Sequence, residues 1–407
     1  MPRPIIIPAL TATFVLATSP AAHAQMQAPS LARRTLDPAT LRPPARTTVP
    51  ARGTTVPLTP GMRPMVDVMV NGQGPFHFMV ETTGAALELN SATRDRLGLR
   101  PRTAGTHLTV ADVDSIRIGD AVLEGMTAVS VDGLLGGDVD GILGLSALAD
   151  LLVTVEAAAG TMTLAKGALP AANGRNVLPL VPVPGYWGAN HLWGVEIGAG
   201  GTRAVATLTL QSPGGVGTSP ALAATAPFAA APVAIGRVLT PLQGAVDRRV
   251  ARLDGDLRIG AYTLRRPLVN VIPGPAQFPA SWTLGAAVLR NFAITFDQKN
   301  RLVRLARADT SPIAAPPAIR DFGFDASPPR TPGGGPYAVR FVIPGSPADR
   351  AGVREGDVLV SADGRDAASL DRSGWAALAA RTDAVSFRFR RDGAEREVSL
   401  TNAIIVQ

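Results

Sequence analysis

Residues 142–164 and 283–305 carry one pattern twice without a gap, and a chain that writes a supersecondary unit twice must find a way to pack both copies. Ile142-Leu143-Gly144 matches Thr283-Leu284-Gly285, Leu148 matches Leu289, and Leu151 matches Phe292. Val153-Thr154-Val155-Glu156 then matches Ile294-Thr295-Phe296-Asp297, all at an offset of 141 residues (285 − 144). Each copy reads as a glycine-bearing turn, a short apolar helix and a hairpin, with hairpin turns at Ala157–Gly160 and Gln298–Asn300. The alternative, two unrelated β meanders, would have to hold that single offset by chance.

Around the repeat the signal is mostly β. Short alternating or β-branched runs, such as Val66–Val70, Phe76–Val80, Ile116–Ile118 and Arg301–Leu305, are separated by Gly, Asn and Asp turns. One short helix is predicted over Ser91–Leu97, opened by Asn90 as N-cap and closed by Gly98. Pro29, Pro38, Pro43, Pro44 and Pro50 mark residues 25–55 as an extended leader, and Pro312, Pro316 and Pro317 mark a second break. The expected units are therefore 56–170 and 176–307, two lobes of one body, and 318–407, a C-terminal domain.

The first 24 residues read as a secretory signal, with Arg3 before the apolar stretch Ile5–Ala17 and cleavage after Ala22-His23-Ala24. A periplasmic or secreted protein is expected. No later stretch reaches the roughly 18 apolar residues that a membrane span needs. Without a cysteine there is no disulfide, thiolate metal site or lipidated Cys anchor, so stability must come from core burial. The net charge of +7 comes from scattered arginines with no nucleic-acid-binding motif among them, and no nucleic-acid partner is expected. His77, His107 and His191 have no partner at metal-ligand spacing, and Gly136-Gly137-Asp138-Val139-Asp140-Gly141 is a single turn rather than a tandem calcium repeat. Neither a metal nor a cofactor is expected. Tyr186, Trp187 and Trp193 cluster at the start of the second lobe, as core packing or as a binding surface.

The stretch from Gly74-Pro75-Phe76-His77-Phe78-Met79-Val80 through Glu81-Thr82-Thr83-Gly84 to Asp140-Gly141-Ile142-Leu143-Gly144 resembles one lobe of the retropepsin-like aspartic proteases. Residues Val177–Leu305 resemble a degenerate second lobe. The resemblance implies a two-lobed β-barrel body in which an Asp-Thr-Gly or Asp-Ser-Gly turn from each lobe builds one site. It places Glu81 and Gln211 at the two acid positions and gives Thr82 and Ser212 as the hydroxyls that link the lobes.

That family's reaction needs two carboxylates sharing one proton. The extra methylene of Glu81 displaces its carboxylate by roughly 1.5 Å, a misplacement that can cost about 100-fold in rate. Gln211 cannot ionise, and the loss of a positioned acid or base removes a factor of about 100 to 10,000. The family's glycine is replaced by Thr83 and by Pro213, which has no N–H. A catalytically impaired pseudoprotease is expected. A misaligned second lobe with its acid at Asp247, Asp254 or Asp256 would instead leave an active endopeptidase using Glu81.

From Ala318 the chain resembles a bacterial PDZ domain. The resemblance is carried by Phe322-Gly323-Phe324, the strand Tyr337–Ile343, the run from Gly345-Ser346-Pro347-Ala348 to Gly356-Asp357-Val358-Leu359, and Asp363-Gly364. Ser346 should start a short helix that Gly352 ends, and Val385, Phe387 and Phe389 alternate with polar residues before the turn Arg391-Asp392-Gly393. Such domains take extended peptides by strand addition. The resemblance gives Phe322, Gly323 and Phe324 as the carboxylate-receiving loop and puts Trp375 and Leu378 on a groove helix at about Leu370–Arg381. Peptide or protein partners and a monomeric state are expected. A groove filled by its own chain, or a structural envelope component, are the alternatives.

Overall fold

The computed structural model describes residues 41–407 except 60, 62, 83–85, 105–107, 132–138, 185–190, 213, 241–243, 274–280, 327–336 and 371. The signal segment, leader residues 25–40, Thr83, Gly84, His107, the Gly136–Asp138 turn, Tyr186, Trp187 and Pro213 lie outside the described residues.

The fold is mostly β, with an aspartic-protease-like body of two lobes and a C-terminal PDZ domain. A six-stranded sheet joins the two copies of the repeat. Its order is Val177–Pro179, Leu302–Ala306, Ala293–Asp297, Leu152–Glu156, Thr161–Ala165, Thr54–Pro57, three strands from each half. At its centre Leu152–Glu156 runs antiparallel to Ala293–Asp297 with Thr154 opposite Thr295, and their hydroxyls lie 2.9 Å apart. Those two residues are also repeat equivalents (295 − 154 = 141), so an internal pseudo-twofold axis passes between them. Val153, Val155, Ile294 and Phe296 alternate with them and are almost wholly buried, the period-2 pattern of a sheet with one face on the core.

In the first lobe Met65–Val70, Gln73–Glu81, Gly141–Gly144, Leu87–Asn90, Ala121–Val131 and Leu108–Ile118 close on themselves as a barrel. The helix Ser91–Arg96 forms where the sequence predicts it: the Asn90 side chain accepts the Thr93 N–H at 3.0 Å, and Gly98 follows in the left-handed region at φ +66°. The leader is shorter than expected. Arg46–Thr48 adds to the edge of the first-lobe sheet and Thr54–Pro57 to the edge of the shared sheet. Val49, Thr54 and Val56 are buried there, and edge strands tolerate the prolines that suggested an extended chain.

The second lobe repeats the pairing of the first, with one insertion. From the N-cap of each lobe's helix to the matching hairpin, the spacing grows from 26 residues to 38 (116 − 90 against 257 − 219). The added length sits in the hairpin of Val233–Thr240 and Gly244–Arg252, which packs against the PDZ domain. Arg237 on this hairpin pairs with Glu355 at 2.8 Å, donates to the Arg340 carbonyl and lies over the Phe341 ring. Phe341 is 6% exposed although it stands outside the PDZ core cluster, so apolar cover contributes to the contact alongside a half-exposed ion pair worth at most about 1 kcal/mol. Arg252 ties the connecting segment down, donating to the Pro316 carbonyl at 2.9 Å and the Gln407 carbonyl at 2.5 Å.

Within the PDZ domain Ser346 caps the helix Pro347–Arg350, and Val385–Arg391 pairs with Ala394–Leu400 across a turn whose Asp392 and Gly393 both have positive φ. The groove helix is Arg372–Ala379. No helix among the described residues is long and apolar enough to cross a membrane, and none of their His, Asp and Glu side chains gather in a group able to hold a metal ion.

Candidate functional site at the lobe junction and in the PDZ groove

Strand phase brings Glu81 to the lobe junction. In Gln73–Glu81 the side chains of Phe76, Phe78 and Val80 are buried, and Thr82, directly after the strand, bonds to Leu208 of the second lobe. It runs parallel to Gly141–Gly144, with Glu81 opposite Gly144. Gly141 is required by the close approach, because a Cβ there would stand 2.6 Å from the Glu88 carbonyl oxygen and 2.8 Å from the Phe78 ring.

The second lobe builds the same arrangement from Thr202–Thr209 and Trp282–Gly285, and there Thr209 stands opposite Gly285. Since Gly144 and Gly285 are repeat equivalents, the residue in the place of Glu81 is Thr209. Gln211, which the sequence alignment puts at that place, lies two residues further on. The turn that follows is one residue longer, with seven positions from Thr209 to Val216 against six from Glu81 to Leu87. Thr209 is 9% exposed, and its hydroxyl donates to the Leu284 carbonyl at 3.2 Å.

The hydroxyl link between the lobes is made by Thr82. Its Oγ1 donates to the Leu208 carbonyl at 2.5 Å and accepts the Leu210 N–H at 3.4 Å, with the whole group buried. The reciprocal position is Leu210, an apolar core residue, so the link is one-armed. Ser212 contributes its carbonyl instead of its hydroxyl, accepting the Ala286 N–H at 2.7 Å. Thr82→Val should therefore lower the stability of the body by about 1–3 kcal/mol, the cost of leaving buried partners unmet, while Thr82→Ser should retain most of it. Urea unfolding of the two variants checks this.

The second half of the body holds five carboxylates, and each sits elsewhere. Glu196 pairs with Arg203, and Asp247 pairs with Arg237 beside the PDZ domain. Asp297 accepts the Leu169 N–H and the Asn300 side chain within the shared sheet. Asp254 and Asp256 bond through their backbones to Pro227 and Gly200. Gly200 precedes the strand Thr202–Thr209, whose eight residues span roughly 25 Å, so both acids sit at the end far from Thr209. A cavity of about 190 Å³ is lined by Leu58, Pro64, Leu210, Leu289 and Phe292 among others, and neither Glu81 nor Thr209 is among the described residues of its wall.

In the PDZ domain the Phe322 and Phe324 side chains face inward. Phe322 meets the Phe387 ring edge-to-face at 4.9 Å, and Phe324 meets Phe387 and Phe389 at 5.2 and 5.3 Å. Gly323 sits between them at φ +98°, packed so closely on Ser346 that a Cβ would stand 2.0 Å from its Oγ. Leu378 is 2% exposed and belongs to the core, and Trp375 is half-buried against it. The sequence reading did not single out Asp321, whose Oδ1 accepts the Gly323 N–H at 2.6 Å. Its only signal in the sequence is an acid directly before Phe-Gly-Phe.

Residues 66–147 match the family model of aspartyl proteases, and residues 339–391 match that of PDZ domains. The chain thus carries an aspartyl-protease-like region in its first lobe and a PDZ domain near its C-terminus. Among solved structures it is similar to a retropepsin-like aspartic protease from Rickettsia conorii, at 19% identity over 29% of this chain and 93% of that one, with a TM-score of 0.23. It is also similar to the HtrA3 PDZ domain bound to a phage-derived ligand (FGRWV), at 22% identity over 21% of this chain and 88% of that one, with a TM-score of 0.19. No curated protein matches the chain.

Proposed function

We propose that this is an exported, monomeric pseudoprotease that binds peptides or proteins through its PDZ domain. The observation that carries the reading is Thr209 opposite Gly285, where Glu81 stands opposite Gly144: the second lobe puts a threonine at the place where the first puts its carboxylate. A lone acid cannot divide the work of activating water and polarising a carbonyl as two carboxylates sharing a proton do. Thr82 still bonds across the lobes, which supports retention of the two-lobed scaffold after loss of the chemistry. Both lobes lie in one chain and share one sheet, so a second copy is not needed to complete the body. Export rests on the first 24 residues alone.

Incubating the protein with a denatured protein substrate across the acidic range tests the chemistry. No turnover is expected, and turnover abolished by Glu81→Gln would overturn the pseudoprotease reading. Screening the full chain against a random peptide library tests the binding. Failure to retain any peptide would favour a purely structural role in the envelope.

A further inference from the structure

We propose that the anion seat of the PDZ groove is permanently filled by the protein's own Asp321 carboxylate, so that the groove takes extended internal segments of a partner rather than free C-termini. The inference rests on the peptide-binding reading above and narrows its ligand class.

Successive backbone N–H groups turned to one point form a concave nest suited to an anion, and a loop of this kind can capture a peptide's terminal carboxylate. Here the N–H of Gly323, the central residue of that loop, turns instead to the Asp321 carboxylate at 2.6 Å. Asp321 is held in place by its strand, Ile319–Asp321, which pairs with Ala403–Val406 near the chain's end. The loop has little freedom to re-aim. Its two phenylalanines are locked in the aromatic cluster, and its glycine is wedged against Ser346, whose hydroxyl donates to the Gly323 carbonyl.

An incoming carboxylate would meet the loop's central donor already in use and a like charge beside it. The Asp325 charge adds to the repulsion. Burial, followed by Asp325, pushes the Asp321 carboxyl above its ordinary range against the pull of the Gly323 N–H. Arg248 on the body hairpin is a cation whose charge acts on Asp325. An internal segment brings no terminal charge. It needs only strand pairing, and among the described residues Phe324–Ala326 pairs on one side alone, with Tyr337–Val342.

The test uses the full chain and two random hexapeptide pools that differ only in ending as a free acid or as an amide. The wild-type protein should bind both within about twofold, and Asp321→Ala should gain about tenfold or more for the acid pool alone. Wild-type preference for the acid pool by about tenfold would overturn the proposal. So would an Asp321→Ala protein, or Asp321→Asn should the alanine variant misfold, that gains nothing for the acid pool while still binding the amide pool.

A second measurement needs no peptide. In ¹⁵N-glycine-labelled wild-type protein the Gly323 amide resonance should move with the titration of Asp321 between about pH 3 and 8, and a flat Gly323 resonance would overturn the proposal outright. If Gly323 titrates and neither pool binds, the peptide-binding reading fails while the filled seat stands.

Discussion

Arg391→Ala is expected to lower the stability of the PDZ domain more than Asp357→Asn does, with the body unaffected. The pair is bidentate: Arg391 Nε donates to Asp357 Oδ1 at 2.5 Å and Nη2 to Oδ2 at 2.7 Å. The two partners are unequally buried, the Asp357 side chain being 4% exposed and that of Arg391 35%. Removing the arginine strands a buried carboxylate with the Arg354 N–H as its remaining donor at 2.9 Å, whereas removing the carboxylate leaves a guanidinium that water reaches. The order of the two losses follows from that asymmetry.

The pH dependence has a definite sign. Burial alone would raise the Asp357 carboxyl, but Arg391, the Arg354 N–H and Arg396 together hold it below its ordinary value. A carboxyl lowered on folding stabilises the fold above its unfolded pKa, near 4, and that contribution is lost as pH falls through the lower folded value. In Arg391→Ala burial prevails and the slope contributed by Asp357 reverses, so the variant's deficit should shrink as pH drops from about 6 to 3. Urea unfolding of wild type and variant at both ends of that range reads it. A deficit that stays constant would mean that the pair does not couple to protonation.

The repeat was legible because it lies downstream of the insertion. From residue 116 onward every second-lobe equivalent sits at one offset, so Gly144 and Gly285, and Thr154 and Thr295, could be paired on paper. Upstream the offset falls to 128 (209 − 81), since the long hairpin of Val233–Thr240 and Gly244–Arg252 intervenes. Local composition around Leu210-Gln211-Ser212 resembles the motif more than Thr209 does, and only ladder register decides between them. Ala206-Thr207-Leu208-Thr209 does carry the alternation of Phe78-Met79-Val80-Glu81, a phase signal weaker than the motif it competes with.

Short edge strands were the second loss. Arg46–Thr48 and Thr54–Pro57 are built from residues whose composition predicts a mobile leader, and their order comes from neighbours that supply ladder partners. In the PDZ domain the turns were readable because Asp363-Gly364 and Asp392-Gly393 need positive φ at both positions and use residues that tolerate it. The self-filled anion seat was not. An acid before Phe-Gly-Phe says nothing about where its carboxylate points until the loop is closed around it.

Gly285→Ala should destabilise the body by about 3 kcal/mol or more, while the PDZ domain keeps its wild-type unfolding transition. The backbone of Gly285 is at φ −91°, which any residue accepts, so the cost is one of space alone. A Cβ would stand 2.3 Å from the Gly214 carbonyl oxygen and 2.9 Å from that of Ser212. Neither can move away cheaply, because the Ser212 carbonyl is bonded to the Ala286 N–H, the Gly214 carbonyl to Ala287 and the Gly215 carbonyl to Gly285 itself. The segment that wraps Gly285 is the one that follows Thr209 and Leu210, so displacing it should also pull Leu210 away from Thr82. Combining Gly285→Ala with Thr82→Val should then cost less than the sum of the two, a coupling of the kind that contacting residues show. Strict additivity, or a body transition unmoved by Gly285→Ala, would show that the junction does not depend on this close approach.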